Sequence, residues 1–422
     1  MSLRTKSGDV VEMVFRPQEG KTRLVTSRDG QVEEHDRLLL NGREYVAYSA
    51  ENNLLTHRVL LLPSSADSYA SDVSLLDEIR SFIHRHVDLS RSFEEIVAHY
   101  VLLTWVYDQF NELPYLRVRG DYGSGKSRFL LTVGSLCWKP IFASGASTVS
   151  PLFRLIDQVG GTLIVDEADF WASDERTEIV KILNNGNARG FPVLRSEVSP
   201  SKEFSPRAFN IYGPKVVATR HPFEDEALES RCLTEVLGTR PLRKDIPISL
   251  PKSFEGEADA LRNKLLRYRF AHLDMELSEA SMNDSGLEPR RMQILRPLLQ
   301  VAVSKSAKAV MREFFSSDSN FSHNRDRAIS RQVLSAVSEL MRNPSAQLTI
   351  GAIAERLKTT SAVHSLGEVS HRWVGSVLRR LGLEPQKSNG VYKIAVSDFG
   401  RITELLEQYG VGDFGDIGDV DR

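Results

Sequence analysis

Gly120-Asp121-Tyr122-Gly123-Ser124-Gly125-Lys126-Ser127 decides the reading of this 422-residue chain. The segment fits Gly-x-x-x-x-Gly-Lys-Ser/Thr. Tyr115 to Arg119 before it reads as a strand, and Ser127 to Cys137 after it as a helix. A phosphate-cradling loop needs that setting, which a chance glycine loop lacks. Glycines let the backbone curl so that its N–H groups face phosphate oxygens, and the helix N-terminus adds partial positive charge. Gly120, Gly123, Ser124 and Gly125 are therefore expected to shape the cradle. Lys126 is expected to reach the β- and γ-phosphates of ATP, and the Ser127 hydroxyl to ligate Mg²⁺.

A second segment points the same way. Thr162-Leu163-Ile164-Val165-Asp166-Glu167 is a buried apolar strand ending in two acids. Placing carboxylates at the tip of a buried strand costs solvation unless a cation sits there. Asp166 is expected to hold the Mg²⁺ shell, and Glu167 to orient and deprotonate an attacking water. A nucleotide kinase needs no such second acid, so the pair predicts hydrolysis. Farther on, Val216-Val217-Ala218-Thr219-Arg220 is a strand ending in polar residues. Thr219 is the expected γ-phosphate sensor, with Arg220 its rival. In Ala227-Leu228-Glu229-Ser230-Arg231-Cys232, Arg231 has two readings. It reaches a neighbouring subunit's nucleotide, or it pairs with a local acid such as Glu229.

The order of these segments resembles that of AAA+ ATPases, over roughly residues 90 to 310. It looks closest to the MCM-like helicases and primase-associated ATPases of phages and mobile elements. The resemblance implies an α/β fold: a P-loop AAA+ ATPase core with a helical lid. It also implies ATP and Mg²⁺ as cofactors and self-assembly into a ring, usually a hexamer. Arg231 then stands as an arginine finger, a group worth about 10³–10⁵ in turnover. In Leu287-Glu288-Pro289-Arg290-Arg291-Met292, Pro289 suits a first helical position. First-turn arginines oppose the helix dipole and gain from a nearby anion. Arg290 and Arg291 are thus candidates for a second sensor of the lid, or plain surface arginines.

Between the acid site and Thr219, the run from Asn184 to Arg195, then Ser196 to Ser205, then Ala208-Phe209-Asn210-Ile211-Tyr212, reads as two strands joined by a polar loop. In MCM-like helicases a hairpin here carries a basic residue into the channel. By that resemblance Lys202 is the tip residue, with Arg195 and Arg207 as supports. Glu197 and Glu203 dilute the charge, and a solvated hairpin packing the ring interface is the other reading. Near the C-terminus, helical patterns at Ile350 to Leu357 and Ser370 to Leu381 precede two strands around Ser388-Asn389-Gly390, a hairpin turn signal. Trp373, Val374, Val377, Leu378 and Leu381 form one face of the second helix. Helix, helix and hairpin resemble a winged helix-turn-helix. Arg372, Ser376 and Arg379 would enter the major groove, with Lys387 and Lys393 on phosphates. Winged domains also serve as protein-contact modules.

The remaining chain divides by pattern. Residues 1–65 form a small β-rich N-terminal part with a hairpin at Asn41-Gly42, and 66–114 a helical connector. The connector's second helix is expected to be capped by Ser92, with Glu95 three residues on. The core spans 115–240, the lid 241–318 and the winged domain 319–400, followed by a helix end and a Gly-Asp tail over 401–422.

Composition bounds these readings. The chain is 41% hydrophobic and 26% charged, ordinary for a globular protein. No apolar run approaches the ~20 residues of a membrane span, and the N-terminus lacks the apolar core of a signal peptide, so a cytoplasmic protein is expected. Cys137 and Cys232 lie far apart and are expected as free thiols. His84 and His86 have no ligand cluster beside them, so no metal site is expected there. The net charge of −2 means that DNA contact must come from local basic clusters. The expected function is an ATP-dependent DNA helicase or helicase-like replication initiator, working as a ring on single-stranded or forked DNA beside a replication protein. The alternative is a remodeller or loader of a protein partner, with the winged domain as adaptor. A third reading is a DNA-binding regulator switched by ATP.

Overall fold

A computed structural model describes all residues except 1–2, 5–9, 29, 146, 167–173, 199–203, 224, 240, 274–286, 317–321, 343–347, 360–368, 389–390, 396–397, 410 and 412–422. The chain divides into two compact units, Met1–Phe321 and Ser322–Arg422.

The first unit opens with an antiparallel sheet, β1 (Leu3–Arg4), β2 (Val10–Arg16), β3 (Lys21–Arg28) and β4 (Gln31–His35), in that order. The hairpin β5 (Arg37–Leu40) and β6 (Arg43–Val46) turns at Asn41 and Gly42, with φ of 50° and 73°. Two consecutive positive φ values are what a tight hairpin turn demands, and Asn-Gly supplies them at low steric cost. Val10 to Val14 of β2 are all buried, with no alternation. Glu12 explains why this sheet is built into the body. Its carboxylate meets Lys139 Nζ at 2.8 Å and Arg269 Nε at 2.7 Å, all three fully buried.

After a short α1 (Asn53–Thr56) come α2 (Asp72–His86) and α3 (Arg91–Val106). The cap of α3 is Ser90 and not Ser92: its Oγ accepts from Phe93 N at 3.3 Å. Glu235, distant in sequence, accepts from both Ser90 N and Ser90 Oγ. That anchor starts the helix two residues early.

The central sheet is fully parallel, in the order β13 (Cys232–Val236), β7 (Tyr115–Arg119), β12 (Lys215–Thr219), β9 (Leu163–Val165) and β8 (Ile141–Ala143). Every residue of β12 and β9 is buried, as expected of central strands in a parallel sheet. Strand β7 feeds α4 (Lys126–Gly134), β8 feeds α5 (Val149–Val159), and α6 (Asp174–Asn185) follows β9. The hairpin β10 (Val193–Val198) and β11 (Phe204–Phe209) leads into β12, and α7 (Glu226–Glu229) precedes β13. Helices α8 (Phe254–His272), α9 (Pro289–Gln300) and α10 (Lys305–Ser316) complete the unit. They share one core with α2, α3 and α4, in which Phe93, Trp105, Phe129, Leu265, Leu295 and Phe315 are buried. The expected helical stretch begins only at Phe254; 241–253 holds no regular element.

The second unit contains α11 (Ser322–Met341), α12 (Ile350–Thr359), α13 (His371–Arg380), the hairpin β14 (Gln386–Ser388) and β15 (Val391–Lys393), and α14 (Phe399–Gln408). Val333, Val337, Ile353, Val374, Val377 and Leu378 form its core. Thr349 bridges Lys393, and Ile394 N donates to Leu348 O at 3.0 Å, adding a third short extended segment to the hairpin. Helix α14 belongs to this unit, since Ile402, Leu405 and Leu406 are in the same core. A boundary at residue 400 therefore cuts the helix in two. The Asn389-Gly390 turn and the Gly-Asp tail, apart from Val411 in the core of this unit, lie outside the described residues.

Candidate nucleotide site

The site is assembled at the C-terminal ends of β7, β12 and β9. In open parallel sheets ligands bind at that edge, where the strand order reverses. Strand β12 lies between the strand before the glycine loop and the strand before the acids. The end of β12 thus falls between Gly120 and Asp166.

The loop is tightly determined. Gly123 and Gly125 have φ of +74° and +95°, left-handed values that favour glycine. A Cβ on Gly120 would lie 2.6 Å from Ser124 Oγ and 2.8 Å from Leu237 O, so only glycine fits. Gly120 N donates to Thr219 O at 3.2 Å, joining the loop to β12. Gly125 caps α4 with no side-chain cap, which leaves that role to the loop side. Lys126 Nζ donates to Gly120 O at 2.6 Å and Asp121 O at 2.8 Å. Ser127 Oγ donates to Asp166 Oδ2 at 2.6 Å, although the two are 39 positions apart. Asp166 N donates in turn to Ala143 O at 3.0 Å, which secures the end of β9.

Two buried hydroxyls here, Ser124 Oγ and Thr219 Oγ1, have no hydrogen-bond partner among the described residues. Thr219 is 1% exposed. Buried polar atoms are nearly always paired, and one left unpaired costs about 1–3 kcal/mol. Phosphate oxygens are acceptors that would satisfy both. The glycine curvature, the lysine, the Ser127–Asp166 pair and these two donors fit a Mg²⁺-bound nucleoside triphosphate. Arg220 also lies at the loop: its guanidinium stands over the ring of Tyr122, a residue of that loop, at 5.1 Å. Glu167 lies outside the described residues.

Arg231 sits at the other end of the sheet. Its carbonyl accepts from Tyr115 N at 2.8 Å, at the start of β7. The five-residue β7, about 13 Å long at ~3.3 Å per residue, separates it from the loop. Its side chain does not pair with Glu229. That carboxylate is held by Arg117 in a buried ion pair and by Phe223 N at 2.9 Å. Arg231 Nη1 instead donates to Asn184 Oδ1 at 2.5 Å. Burial and then the charge of Arg290 lower its pKa. Arg290 donates to Ala227 O at 3.0 Å, at this same end of the sheet. Arg291 donates to Phe315 O at 3.0 Å and so holds the end of α10. These contacts place the start of α9 against α7 and α10.

Asn184 and Asp225 take part in this cluster; sequence reading gave neither a functional role and put Asn184 at the start of the hairpin segment, whereas it lies in the last turn of α6. The Asn-rich end of α6, Asn184-Asn185-Gly186-Asn187, was the available signal.

The hairpin arginines also have defined places. Arg195 and Arg207 are directly opposite in the β10–β11 register. Arg195 lies over the Phe153 ring at 5.3 Å, and Arg207 is 4.0 Å from Asp157, both residues of α5. Both arginines therefore face α5. The other face carries Leu194, 68% exposed. Lys202 and Glu203 lie outside the described residues.

In the second unit Arg372, Ser376 and Arg379 are exposed on α13, across from buried Val374, Val377 and Leu378. Lys387 is exposed and pairs across the hairpin with Tyr392, whereas Lys393, half-buried, pairs with Gln386. Residues directly opposite share a face, so the two lysines point to opposite sides of the hairpin.

Other candidates have structural roles. His84 Nδ1 bonds Glu94 at 2.7 Å, and His86 Nδ1 bonds Phe82 O at 2.7 Å. Among the described residues no cluster of three or more metal-ligating side chains occurs. Cys137 and Cys232 are buried free thiols, each pushed up to about 12 by burial. No helix among the described residues is long and apolar enough to cross a membrane.

No protein-family model matches the sequence. No curated protein matches it either. Among solved structures, the C-terminal region of NrS-1 aligns with 92% of this chain and 96% of its own, at 10% identity and a TM-score of 0.34. A full-length MCM homologue from Methanopyrus kandleri aligns over 74% of this chain and 76% of its own, at 14% identity and a TM-score of 0.37. The Aeropyrum pernix ORC1 protein in complex with DNA aligns over 78% of this chain and 95% of its own, at 13% identity and a TM-score of 0.24. The functional reading therefore rests on the residues of the site.

Proposed function

We propose that this protein is a Mg²⁺-dependent ATP hydrolase of the AAA+ type that assembles as a ring, with six subunits expected, and works on DNA as a helicase or helicase-like replication initiator. One observation carries the hydrolase reading: Ser127 Oγ and Asp166 Oδ2 meet at 2.6 Å beside a glycine loop that admits no Cβ at Gly120. A hydroxyl from the first turn of α4 and a carboxylate from the tip of β9, converging at the mouth of a phosphate cradle, are the donor set for a hard cation.

In this reading the loop N–H groups and Lys126 bind the phosphates. Ser127 and Asp166 would hold Mg²⁺, which supplies charge neutralisation on the phosphate oxygens when bound. Glu167 orients a water and takes its proton. The Thr219 hydroxyl donates to the γ-phosphate, a role supported by its being buried with no hydrogen-bond partner among the described residues, while Arg220, over the loop's Tyr122, stays its rival. Arg231 lies beyond reach of its own loop, so it acts on the ATP of the next subunit, with Arg290 beside it.

The DNA reading is supported by local charge. Residues 371–393 hold Arg372, Arg379, Arg380, Lys387 and Lys393 against one acid, Glu384, in a chain of net charge −2. The helix, helix, helix and hairpin order of the second unit supports a winged helix, with Arg372, Ser376 and Arg379 toward the major groove. Lys202 would grip the strand in the ring channel. A second reading, a remodeller of a protein partner, is favoured by two exposed apolar side chains, Leu194 of β10 and Phe191 just before it. The deciding measurement is ATPase rate with and without single-stranded and forked DNA, followed by strand separation. Stimulation by DNA that is lost in Lys202→Ala, with basal hydrolysis kept, supports the helicase. Hydrolysis abolished by Glu167→Gln but indifferent to DNA moves the assignment to the remodeller.

A further inference from the structure

Arg231 is held in an unusual way for a guanidinium close to a carboxylate. Asn184 stands between Arg231 and Asp225: its Oδ1 accepts from Arg231 Nη1 at 2.5 Å, and its Nδ2 donates to Asp225 Oδ2 at 2.6 Å. The amide's orientation is dictated by its partners. A guanidinium can only donate and a carboxylate can only accept, so oxygen must face Arg231 and nitrogen must face Asp225. Asp225 is further engaged, since its Oδ1 caps α7 by accepting from Leu228 N at 3.0 Å. Arg231 Nε is buried and has no hydrogen-bond partner among the described residues. Neither Arg231 nor the neighbouring Arg290 forms an ion pair among the described residues. Two cations thus lie together at one end of the sheet with a neutral amide as the anchor.

The chemistry of that anchor matters. A direct guanidinium–carboxylate pair is short, bidentate and roughly twice as strong as a neutral hydrogen bond. It would aim Arg231 but also retain it. One neutral acceptor aims the group and leaves its remaining N–H donors for an external anion. Asn184 also sits in the last turn of α6, a helix that starts at Asp174, eight residues after Asp166.

We propose that Asn184 is a positioning residue that holds Arg231 ready for the triphosphate bound in a neighbouring subunit, and that Asp225 orients Asn184 for this task. This inference rests on the reading of Arg231 as acting between subunits. Asn184 touches no reacting atom; it works through Arg231.

The test is a subunit-mixing ATPase assay on the full-length oligomer. Asn184→Asp supplies a carboxylate where the amide stood, so it should withhold Arg231 and lower kcat by about tenfold or more, a part of the 10³–10⁵ a finger supplies. Binding of a fluorescent ATP analogue should stay within about twofold, because Asn184 is remote from its own loop. Asn184→Asp subunits then have a sound nucleotide site and a disabled finger, and Glu167→Gln subunits the reverse. An equal mixture should hydrolyse ATP faster than the mean of the two separate proteins. A merely structural role for Asn184 would not give that rescue. Should Asn184→Asp not fold, Asn184→Ala and Asp225→Ser, which keeps an α7 cap, carry the same mixing test. Wild-type kcat in these variants would overturn the proposal. Rescue by Arg231→Ala with Glu167→Gln, but not by the Asn184 variants, overturns it while leaving the intersubunit finger intact. If Arg231→Ala is inactive and rescues nothing, the finger reading fails, and the proposal with it.

Discussion

The Ser127 hydroxyl donates to the Asp166 carboxylate across 2.6 Å, joining the first turn of α4 to the tip of β9. Strand β12 stands between the strands that deliver them. The contact is therefore made by the sheet order and not by local sequence. It converts two separate motifs into one prospective cation site.

Removal of either partner, or of the cation, should stop turnover. Ser127→Ala and Asp166→Asn are each expected to lower kcat by at least about 10², the usual cost of a group that stabilises transition-state charge. Chelation of Mg²⁺ should do the same to wild type. Phosphate release at saturating ATP measures all three. Turnover that survives both variants would remove the cation site from the mechanism.

Thr219→Val separates stability from activity. The Thr219 hydroxyl is buried without a hydrogen-bond partner among the described residues, so its loss should stabilise the fold by about 1 kcal/mol or more. The same change should lower kcat, because the γ-phosphate loses a donor. Thermal melting and steady-state ATPase on one preparation read both quantities. A variant that is less stable and fully active would assign the hydroxyl no sensing role.

Lys215 predicts a pH dependence of stability. It is fully buried, donates to the carbonyls of Gly186, Ile211 and Gly213, and meets no carboxylate among the described residues; burial lowers it to about 7. In the unfolded chain it titrates near the ordinary lysine value of 10.5. Between these values the unfolded state binds a proton that the folded state does not, so stability rises with pH, by at most ~1.4 kcal/mol per unit. Cys137 and Cys232 act in the opposite sense above their unfolded value near 9. The comparison is therefore wild type against Lys215→Met between pH 7 and 9. Wild type should gain relative to the variant as pH rises, and parallel curves would contradict a neutral buried lysine.

Glu12→Ala should destabilise the protein by about 3–5 kcal/mol, the range for breaking one partner out of a buried ion pair. Lys139 and Arg269 would be left without that carboxylate. Because Glu12 belongs to β2, urea unfolding should remain one transition at a lower midpoint. A separate early transition would indicate that the N-terminal sheet folds apart from the body.

DNA contact by α13 predicts a salt signature. In Arg372→Ala/Arg379→Ala, duplex binding should weaken, and the slope of log K against log salt should flatten by about 0.9 for each phosphate that the variant no longer neutralises. Fluorescence anisotropy over a salt series gives the slope. An unchanged slope would leave α13 as a protein-docking or solvated face.

By itself the sequence determined the elements whose instructions are local. Gly123 and Gly125 turn the loop because few other residues tolerate their φ, Asn41-Gly42 sets a hairpin, and Thr162 to Val165 is too apolar to be anything but buried. What only tertiary structure decided involves partners far apart along the chain. Glu235 moved the start of α3 to Ser90, Arg117 took the Glu229 carboxylate that Arg231 was free to claim, and Asn184 took Arg231 in its place. The β10–β11 register turned Arg195 and Arg207 toward α5, and α9 packing placed Arg290 beside Arg231. A charged side chain carries its donors or acceptors in the sequence, but which of several equivalent partners it meets is settled by desolvation and packing once distant strands lie side by side.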